Sequence, residues 1–263
     1  MRTLCLAAAL LAGGQGVAAQ PPEARVALEL VLAVDSSASV DDREFELQVE
    51  GIAQAFAHPE VLAAIESLGE AGMAATLVQW SGPESTAAVL PFNHIHDQRT
   101  AKAFGFLVSL TQRRSSAGTT AMAHAVKLSA DLLEGNGFEG DRQVIDVSGD
   151  GRNNTPPDIE GIRDQVVGRR GFTINGLAIL SDDPRLDVYY RRSLIGGKDA
   201  FVEVASGYDE FARAIRQKLI REIYPPLSEH QGPRRLARQV SATEGSPAHP
   251  DADRTAGAWS MPQ

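Results

Sequence analysis

A carboxylate followed by closely spaced hydroxyls lies at Asp35–Ser39, directly after the apolar run 28–34. Asp35 supplies the carboxylate, and Ser37 and Ser39 supply hydroxyls at alternate positions. In a turn that leaves a strand, alternate side chains can converge on one point. Carboxylate and hydroxyl oxygens are hard ligands, which suit Mg²⁺, Mn²⁺ or Ca²⁺ better than zinc or copper. The stretch therefore predicts a site for a hard divalent cation.

Two further segments carry oxygen ligands of the same kind. The segment SSAGTT (115–120) precedes a helical pattern, and SGDG (148–151) follows an apolar strand. Counting back from the apolar positions of the helix favours Thr120 as the ligand and leaves adjacent Thr119 open. If Asp35 and Asp150 are the only acids that reach the ion, it keeps residual positive charge. Such a site would accept a carboxylate from another molecule.

Strand and helix patterns alternate along the chain, and these elements must bring the three segments together. Period-two apolar runs and strand-forming residues predict strands at 28–34, 73–80, 87–92, 143–148, 172–180 and 200–204. Apolar spacing of three and four residues predicts helices beginning near residues 42, 59, 101, 120, 156, 183 and 208. Pro91 places the 87–92 strand at an edge or an end.

Strands separated by helical spans predict an α/β fold, with a doubly wound, mostly parallel sheet flanked by helices. In such sheets ligands bind beyond the carboxyl ends of the strands, at the point where the strand order reverses. The acids and hydroxyls of all three segments follow strands or precede helices at that edge. The order of elements thus predicts one shared site.

These residues resemble the metal-ion-dependent adhesion site of von Willebrand factor A-type domains, a Rossmann-like fold. The resemblance covers residues 26–223, and the chain is similar to bacterial secreted proteins of unknown function that carry such a domain. It implies that Ser37 and Ser39 bind the metal directly, as does Thr120 when a ligand is engaged. It also implies that Asp35 and Asp150 lie at the metal or just beyond its direct ligands. The ending QWSG of the second strand, in place of the more usual Phe-Ser, is a conservative departure.

Two of these features have simpler explanations. Ser39 and Asp42 have the spacing of a helix capping box, which by itself explains a serine in this turn equally well. The other two segments, in their expected places, favour the metal site. His94 and His96 alternate as a metal-binding pair on a strand would, but the sequence offers no evident third ligand. A solvated loop is therefore the favoured interpretation of the histidines.

Two polar clusters flank the candidate site. Arg113-Arg114 could steer an acidic ligand toward the metal, and a solvated pair of charges explains them at least as well. Arg152-Asn153-Asn154 could support the site from below, and an ordinary polar turn explains them equally well.

The ends of the chain differ from its middle. Arg2, a short apolar run and the junction Ala19-Gln20 have the layout of a secretory signal peptide, which predicts export to the periplasm or beyond and cleavage after residue 19. Cleavage would also remove Cys5, the one cysteine of the sequence, so the mature chain would have no disulfide. Residues 224–263 are rich in Pro, Ser, Gly and charge, which predicts a disordered tail.

Composition and motifs narrow the function. A net charge of −9 argues against a nucleic-acid partner, and no segment after the signal peptide reaches the roughly 20 apolar residues of a membrane helix. The expected function is a binding module whose metal grips an Asp or Glu of a partner protein. The alternative is a metal-dependent phosphatase that uses Asp35 as nucleophile. That chemistry usually places a second acid two residues later, where this chain has Ser37.

Overall fold

The strands and helices follow one another in the alternation expected from the sequence. The computed structural model describes residues 23–115 and 118–224; the predicted signal peptide and residues 225–263 of the predicted tail lie outside the described residues. The strands are β1 (Ala24–Val26), β2 (Leu28–Asp35), β3 (Met73–Trp80), β4 (Ala87–Ala88), β5 (Asn93–Ile95), β6 (Phe138–Gly140), β7 (Gln143–Gly149), β8 (Thr173–Ile179) and β9 (Val202–Ala205). The helices are α1 (Asp42–Ala55), α2 (Pro59–Glu66), α3 (Gln98–Ser109), α4 (Met122–Leu132), α5 (Ile159–Arg170), α6 (Leu186–Tyr189) and α7 (Phe211–Ile223).

The main sheet is doubly wound, as predicted. Its order is β4-β3-β2-β7-β8-β9, with β5 also paired to β3. Strand β2 pairs in parallel with β3 on one side and with β7 on the other, and β8 and β9 continue the parallel pairing. Strands β4 and β5 run antiparallel to β3. The strand order therefore reverses between β2 and β7, which is where such sheets bind ligands.

Alternation along β2 divides the interior into two layers. Leu30, Leu32 and Val34 face one layer with α1, α2, α3 and α7, whereas Val31 and Ala33 face the other with α4, α5 and α6. Every residue of β2 is buried, as expected for a central parallel strand covered by helices on both faces. This burial fixes the position of the carboxyl end of β2 within the sheet.

Several element boundaries differ from the sequence-based expectation. The predicted strand 87–92 is reduced to β4, and a separate strand, β5, begins after Pro91, since proline has no N–H to donate to a ladder. The predicted helix from residue 120 begins at Met122, and the one from 156 begins at Ile159, capped by the Asp158 side chain. The helix after residue 183 comprises α6 and a π-helical turn, Tyr190–Leu194.

A small parallel pair, β1 with β6, was not predicted because each strand has only three residues. A buried charged cluster was also missed. Lys218 of α7 lies 2.6 Å from Asp146 of β7 and 2.6 Å from Glu222, with at most 2% of any of these side chains exposed. Asn175 of β8 donates to Glu222 at 2.9 Å. The cluster ties the last helix to the middle of the sheet.

Removing Lys218 should leave two buried carboxylates without their positively charged partner. We expect Lys218→Met to lower the free energy of unfolding by about 3–5 kcal/mol at pH 7.5, the usual cost of breaking a buried ion pair from one side. Burial, followed by the proximity of Glu222, raises the pKa of Asp146 to about 7. The native state therefore binds more protons than the unfolded state between about pH 4 and 7, and its stability falls as pH rises. Without Lys218 the dependence of stability on pH becomes stronger, so the variant should lose less free energy of unfolding at pH 5 than at pH 7.5. Urea unfolding at both pH values measures the difference.

The matched control is Lys127→Met, since Lys127 forms an exposed pair with Asp131 at 2.7 Å. An exposed pair contributes about 0–1 kcal/mol, so this variant should change little. Equal losses from the two variants would contradict a stabilising role for the buried cluster.

Candidate metal centre

Asp35 is the last residue of β2 and is fully buried. Its Oδ1 accepts the backbone N–H of Ser37 at 2.8 Å, and its backbone carbonyl accepts Gln48 Nε2 at 3.0 Å. Its second oxygen, Oδ2, is buried and has no hydrogen-bond partner among the described residues. A buried acceptor without a donor is costly unless a ligand satisfies it. The backbone and one oxygen are thus fixed while the other oxygen is available.

The serine turn reaches across to the loop after β7. Ser37 Oγ lies 3.3 Å from Ser39 Oγ, and Ser39 Oγ donates to Asp150 Oδ1 at 2.9 Å. The capping box of α1 is formed by Asp41 and Glu44, whose side chains each accept the other residue's backbone N–H. The explanation of Ser39 as a helix cap is therefore wrong, because an acid two residues later performs that role.

The threonine loop completes the edge. The backbone N–H of Thr120 donates to Asn154 Oδ1 at 2.9 Å, and Thr120 Oγ1 lies 3.4 Å from the point where a Cβ on Gly151 would stand. Thr119 is exposed, and its hydroxyl accepts that of Thr155 at 2.8 Å. Thr120 is the threonine that lies beside the Asp150 segment.

Gly149 allows β7 to approach this point closely. A Cβ at this position would lie 2.6 Å from Asp35 Oδ2 and 3.0 Å from Trp80 Cζ2, closer than real Cβ contacts. Trp80 is fully buried at the end of β3, and the carbonyl of the next residue, Ser81, accepts the N–H of Ala121 at 2.8 Å. The three strands β3, β2 and β7 therefore all help to position the same polar edge.

The two acids at this edge of the sheet have raised pKa values. Burial, and then the nearby Asp150 carboxylate, raise the pKa of Asp35 to about 8. Burial also raises the pKa of Asp150, which receives hydrogen bonds from Ser39 and from Tyr208 Oη at 3.1 Å and lies near Asp182. A bound cation would favour the ionised form of both acids. An all-oxygen donor set with an unpartnered buried carboxylate oxygen fits a hard divalent ion.

Tyr208 and Asp182 were missed by sequence reasoning. Tyr208 lies just ahead of α7 and Asp182 lies in the loop after β8, both distant in sequence from Asp150. Nothing in their local sequence signals the contact; only the sheet order could have placed them at this edge.

Arg113 serves a different role from ligand steering. Only 11% of its side chain is exposed; its Nη2 donates to the carbonyls of Ser37 at 2.9 Å and Ser36 at 3.3 Å, and also to that of Val40. Its Nη1 pairs with Asp42 Oδ1 at 2.8 Å. The interpretation of Arg113 as a free charge that attracts ligands is therefore wrong: its guanidinium holds the serine turn from behind.

The polar residues after Asp150 support the site. Asn154 holds Thr120, as described above, and Asn153 Oδ1 accepts the N–H of Ala123 in the first turn of α4 at 3.0 Å. These contacts satisfy backbone donors at a helix start that has no side-chain cap of its own. The support suggested by the sequence is present for both asparagines.

The two histidines form no metal cluster. His94 Nε2 lies 2.9 Å from the carbonyl of Ala71, and its ring stacks 4.8 Å from that of His96. Within residues 23–115 and 118–224, no three His, Cys, Asp or Glu side chains are grouped as metal ligands. The candidate centre therefore depends on hydroxyl oxygens in addition to its carboxylates.

Solved structures with the same fold define the class of domain. The chain is similar to proximal thread matrix protein 1 from the mussel byssus (TM-score 0.57, 13% identity), of which it spans 49%, with 77% of this chain covered. A second structure of that protein has a zinc-occupied MIDAS motif (TM-score 0.54, 12% identity, 77% and 49% covered). The vWF domain of the type V pili tip protein Mfa5 from Porphyromonas gingivalis is also similar (TM-score 0.52, 11% identity, 77% and 98% covered). The fold is that of a von Willebrand factor A-type domain, and the chain spans about half the length of the mussel protein.

The family follows from the sequence itself. Residues 25–227 match the model of the family described as "Protein of unknown function (DUF1194)", and the chain belongs to that family. A search of curated proteins finds no match.

Removing the guanidinium behind the serine turn should loosen it. We expect Arg113→Ala to lower the free energy of unfolding by about 2 kcal/mol, because three carbonyls and Asp42 lose a charged donor. Amide hydrogen exchange across residues 36–41 should become faster in this variant. Hydrogen exchange and urea unfolding provide the two measurements.

Arg114→Ala is the matched control for this experiment. Arg114 is exposed, and its recorded hydrogen bond is made by its backbone N–H, to Gln79 Oε1 at 2.9 Å. If Arg113→Ala leaves exchange in the serine turn as slow as Arg114→Ala does, the supporting role is refuted.

Proposed function

We propose that this protein is an exported binding module that engages an acidic residue of a partner protein through a divalent metal. Asp35, Ser37, Ser39, Thr120 and Asp150 would hold the ion, directly or through water. The observation that carries this proposal is the convergence of these oxygens at the strand-order reversal, with Asp35 Oδ2 buried and unpartnered. Mg²⁺, Mn²⁺ or Ca²⁺ suits oxygen ligands of this kind.

The protein's own residues would do three things in this function. Asp35 and Asp150 would neutralise most of the ion's charge, and the serine and threonine hydroxyls would bind it without adding charge. Arg113 would keep the turn closed, and Asn154 would hold the Thr120 loop in place. The ion, when bound, would supply an electrophilic position that accepts one more carboxylate, worth about 1.5–3 kcal/mol as a charge-assisted contact.

The fold neighbours support a binding role. They include a byssus matrix protein and a pilus tip protein, both of which are structural or surface proteins by their names. The phosphatase alternative is disfavoured by the burial of Asp35, because a nucleophile must reach its substrate and this side chain is 0% exposed. Ser37, which replaces the second acid of that chemistry, instead contacts Ser39.

Export rests on the signal-like N-terminus. None of the helices formed by the described residues combines the length and the apolar character needed to cross a bilayer. We propose that the domain acts in the periplasm or outside the cell. The structurally similar byssus and pilus tip proteins support this location.

Metal binding can be measured directly. Isothermal titration with Mg²⁺, Mn²⁺, Ca²⁺ and Zn²⁺ should show reversible binding of Mg²⁺ or Mn²⁺ to the wild type, with modest affinity because few charges hold the ion. Ser37→Ala/Ser39→Ala should weaken binding at least tenfold, since two ligands are lost. The control Ser67→Ala/Ser109→Ala removes two hydroxyls that donate to helix carbonyls, and it should bind as the wild type does. Equal heats from the two double variants would place the metal elsewhere.

Partner binding should require both the metal and an acid. The immobilised full chain is used to capture proteins from the envelope and secreted fractions of its host, with Mg²⁺, with chelator, and as Asp35→Asn. Capture should be lost with chelator and with the Asp35→Asn variant. It should also be lost when the carboxylates of the captured proteins are first converted to amides. Recovery of the same proteins under all conditions would refute the adhesion function.

A further inference from the structure

A pocket of about 360 Å³ opens beside the candidate metal centre, and arginines frame it. Its lining includes Arg152, Arg185 and Arg192 against one acid, Glu160, with Val188 and Tyr189 forming an apolar wall. This local excess of positive charge stands out in a chain whose net charge is −9. The pocket therefore favours an anionic ligand.

Helical spacing brings the arginines to one face. Arg185 directly precedes α6, and Arg192 lies seven residues later in the π-helical turn; Val188 and Tyr189 lie between them at steps of three and four residues. Arg191 lies on a different face and pairs with Asp187 at 3.7 Å. The two adjacent arginines, 191 and 192, thus differ in their surroundings.

The pocket is held in place by contacts that do not use its free charges. Arg152 Nε donates to Asp183 Oδ2 at 2.7 Å, and the Arg152 guanidinium lies 5.3 Å from the centre of the Tyr189 ring. Arg163 Nη1 donates to the carbonyls of Arg192 at 2.9 Å and Ser193 at 3.0 Å, which fixes the end of the π-helical turn. The backbone around the pocket is ordered before any ligand arrives.

Two of the three guanidinium groups are available. Within the described part of the chain, the side chains of Arg185 and Arg192 make no hydrogen bond and no salt bridge with a protein group, although the charge of Arg185 contributes to lowering the pKa of Asp183. Arginine presents a planar set of donors that matches a carboxylate in a two-point contact. An incoming carboxylate would meet donors that need not first break another bond.

The pocket and the metal centre share one edge of the sheet. Arg152 follows Asp150 by two residues, so their Cα atoms are at most about 7–8 Å apart. Arg185 lies at the end of the loop that follows β8, directly before α6. Strand β8 is the parallel neighbour of β7, so the carboxyl ends of the two strands lie at the same edge. The pair Arg152–Asp183 joins the loops that follow these strands.

We propose that the arginine pocket binds a second carboxylate of the same partner, which therefore presents two acids a few residues apart on one short segment. This inference rests on the proposed function, in which the metal takes the first carboxylate. A short acidic peptide segment is favoured over a long polyanion because Asp182 lies close to Asp150, and because Asp41, Asp42 and Glu44 begin α1 at the same edge. Those acids would repel negative charge that extends beyond the pocket.

The test uses fluorescein-labelled hexaglutamate, with hexaglutamine as its uncharged control, and the full chain in Mg²⁺ at low ionic strength. Fluorescence anisotropy should show binding of hexaglutamate only. Arg185→Ala and Arg192→Ala should each weaken it about tenfold, and Arg192→Glu should weaken it further. Arg191→Ala removes the same charge from the neighbouring position and should change the affinity less than twofold. All three positions are exposed, and thermal unfolding checks that each variant folds.

The outcomes separate the two proposals. If chelator abolishes binding while Arg192→Ala matches Arg191→Ala, the metal function stands and the pocket inference is overturned. If the arginine variants weaken binding and chelator has no effect, the metal function fails, and so does a two-point contact that includes the metal. Tighter binding of a sulfated oligosaccharide through the same arginines would overturn the choice of an acidic peptide. The inference is supported if chelator abolishes hexaglutamate binding, the Arg185 and Arg192 variants weaken it, and Arg191→Ala leaves it unchanged.

Discussion

The burial of Asp35 at the end of the central strand is the constraint on which the polar edge depends. A fully buried carboxylate must have its oxygens satisfied, and here one oxygen accepts a backbone N–H while the other has no hydrogen-bond partner among the described residues. Neighbouring groups are arranged around that unsatisfied oxygen. Gly149 has no side chain at the point of closest approach, and the serine turn bends back over the strand end. In the proposed function a divalent cation would satisfy this oxygen.

The position of this acid follows from the topology of the sheet. Because β2 is followed by α1 on one face of the sheet and β7 is followed by α5 on the other face, the loops after these two strands diverge and leave a cleft. Three separate segments meet there and are joined by hydrogen bonds, among them the bond from Ser39 to Asp150 and the bonds between Thr120 and Asn154. Since each loop is anchored by buried strands, the donors are ordered by the fold rather than by the ligand. Such preorganisation is what the proposed metal site would require of its supporting residues.

Charge is distributed unevenly around the cleft. Acids lie at the start of α1, whereas the pocket on the side toward α6 has three arginines in its lining, with Asp182 and Asp183 in the loop before that helix. In the proposed function, this uneven charge would orient an acidic partner as it approaches the edge. Arg113, which the sequence presents as one more surface charge, contributes nothing to this uneven charge at the rim because its guanidinium is enclosed by backbone carbonyls.

The sequence by itself predicted the fold class, which the structure confirms, and singled out the candidate metal ligands. Apolar patterns and the alternation of strands and helices predict a mostly parallel sheet flanked by helices, and the apolar run 28–34 predicts one of its strands. Asp35, Ser37 and Ser39 could be singled out because their spacing is local and their chemistry is specific. Local patterns fail where an element is short, as in β1, β4 and β6, or where proline interrupts a strand, as at Pro91.

Only the tertiary structure decided which residues distant in the sequence share an environment. Lys218 reads as a helix-surface lysine, yet it is fully buried between Asp146 and Glu222. Tyr208 reads as an ordinary apolar helix position, yet its hydroxyl donates to Asp150. The physical reason is that hydrogen bonds and ion pairs act over a few ångströms in space, whereas sequence patterns report only on neighbours along the chain. Because β2 pairs with β7, residues that are far apart along the chain lie close together in space.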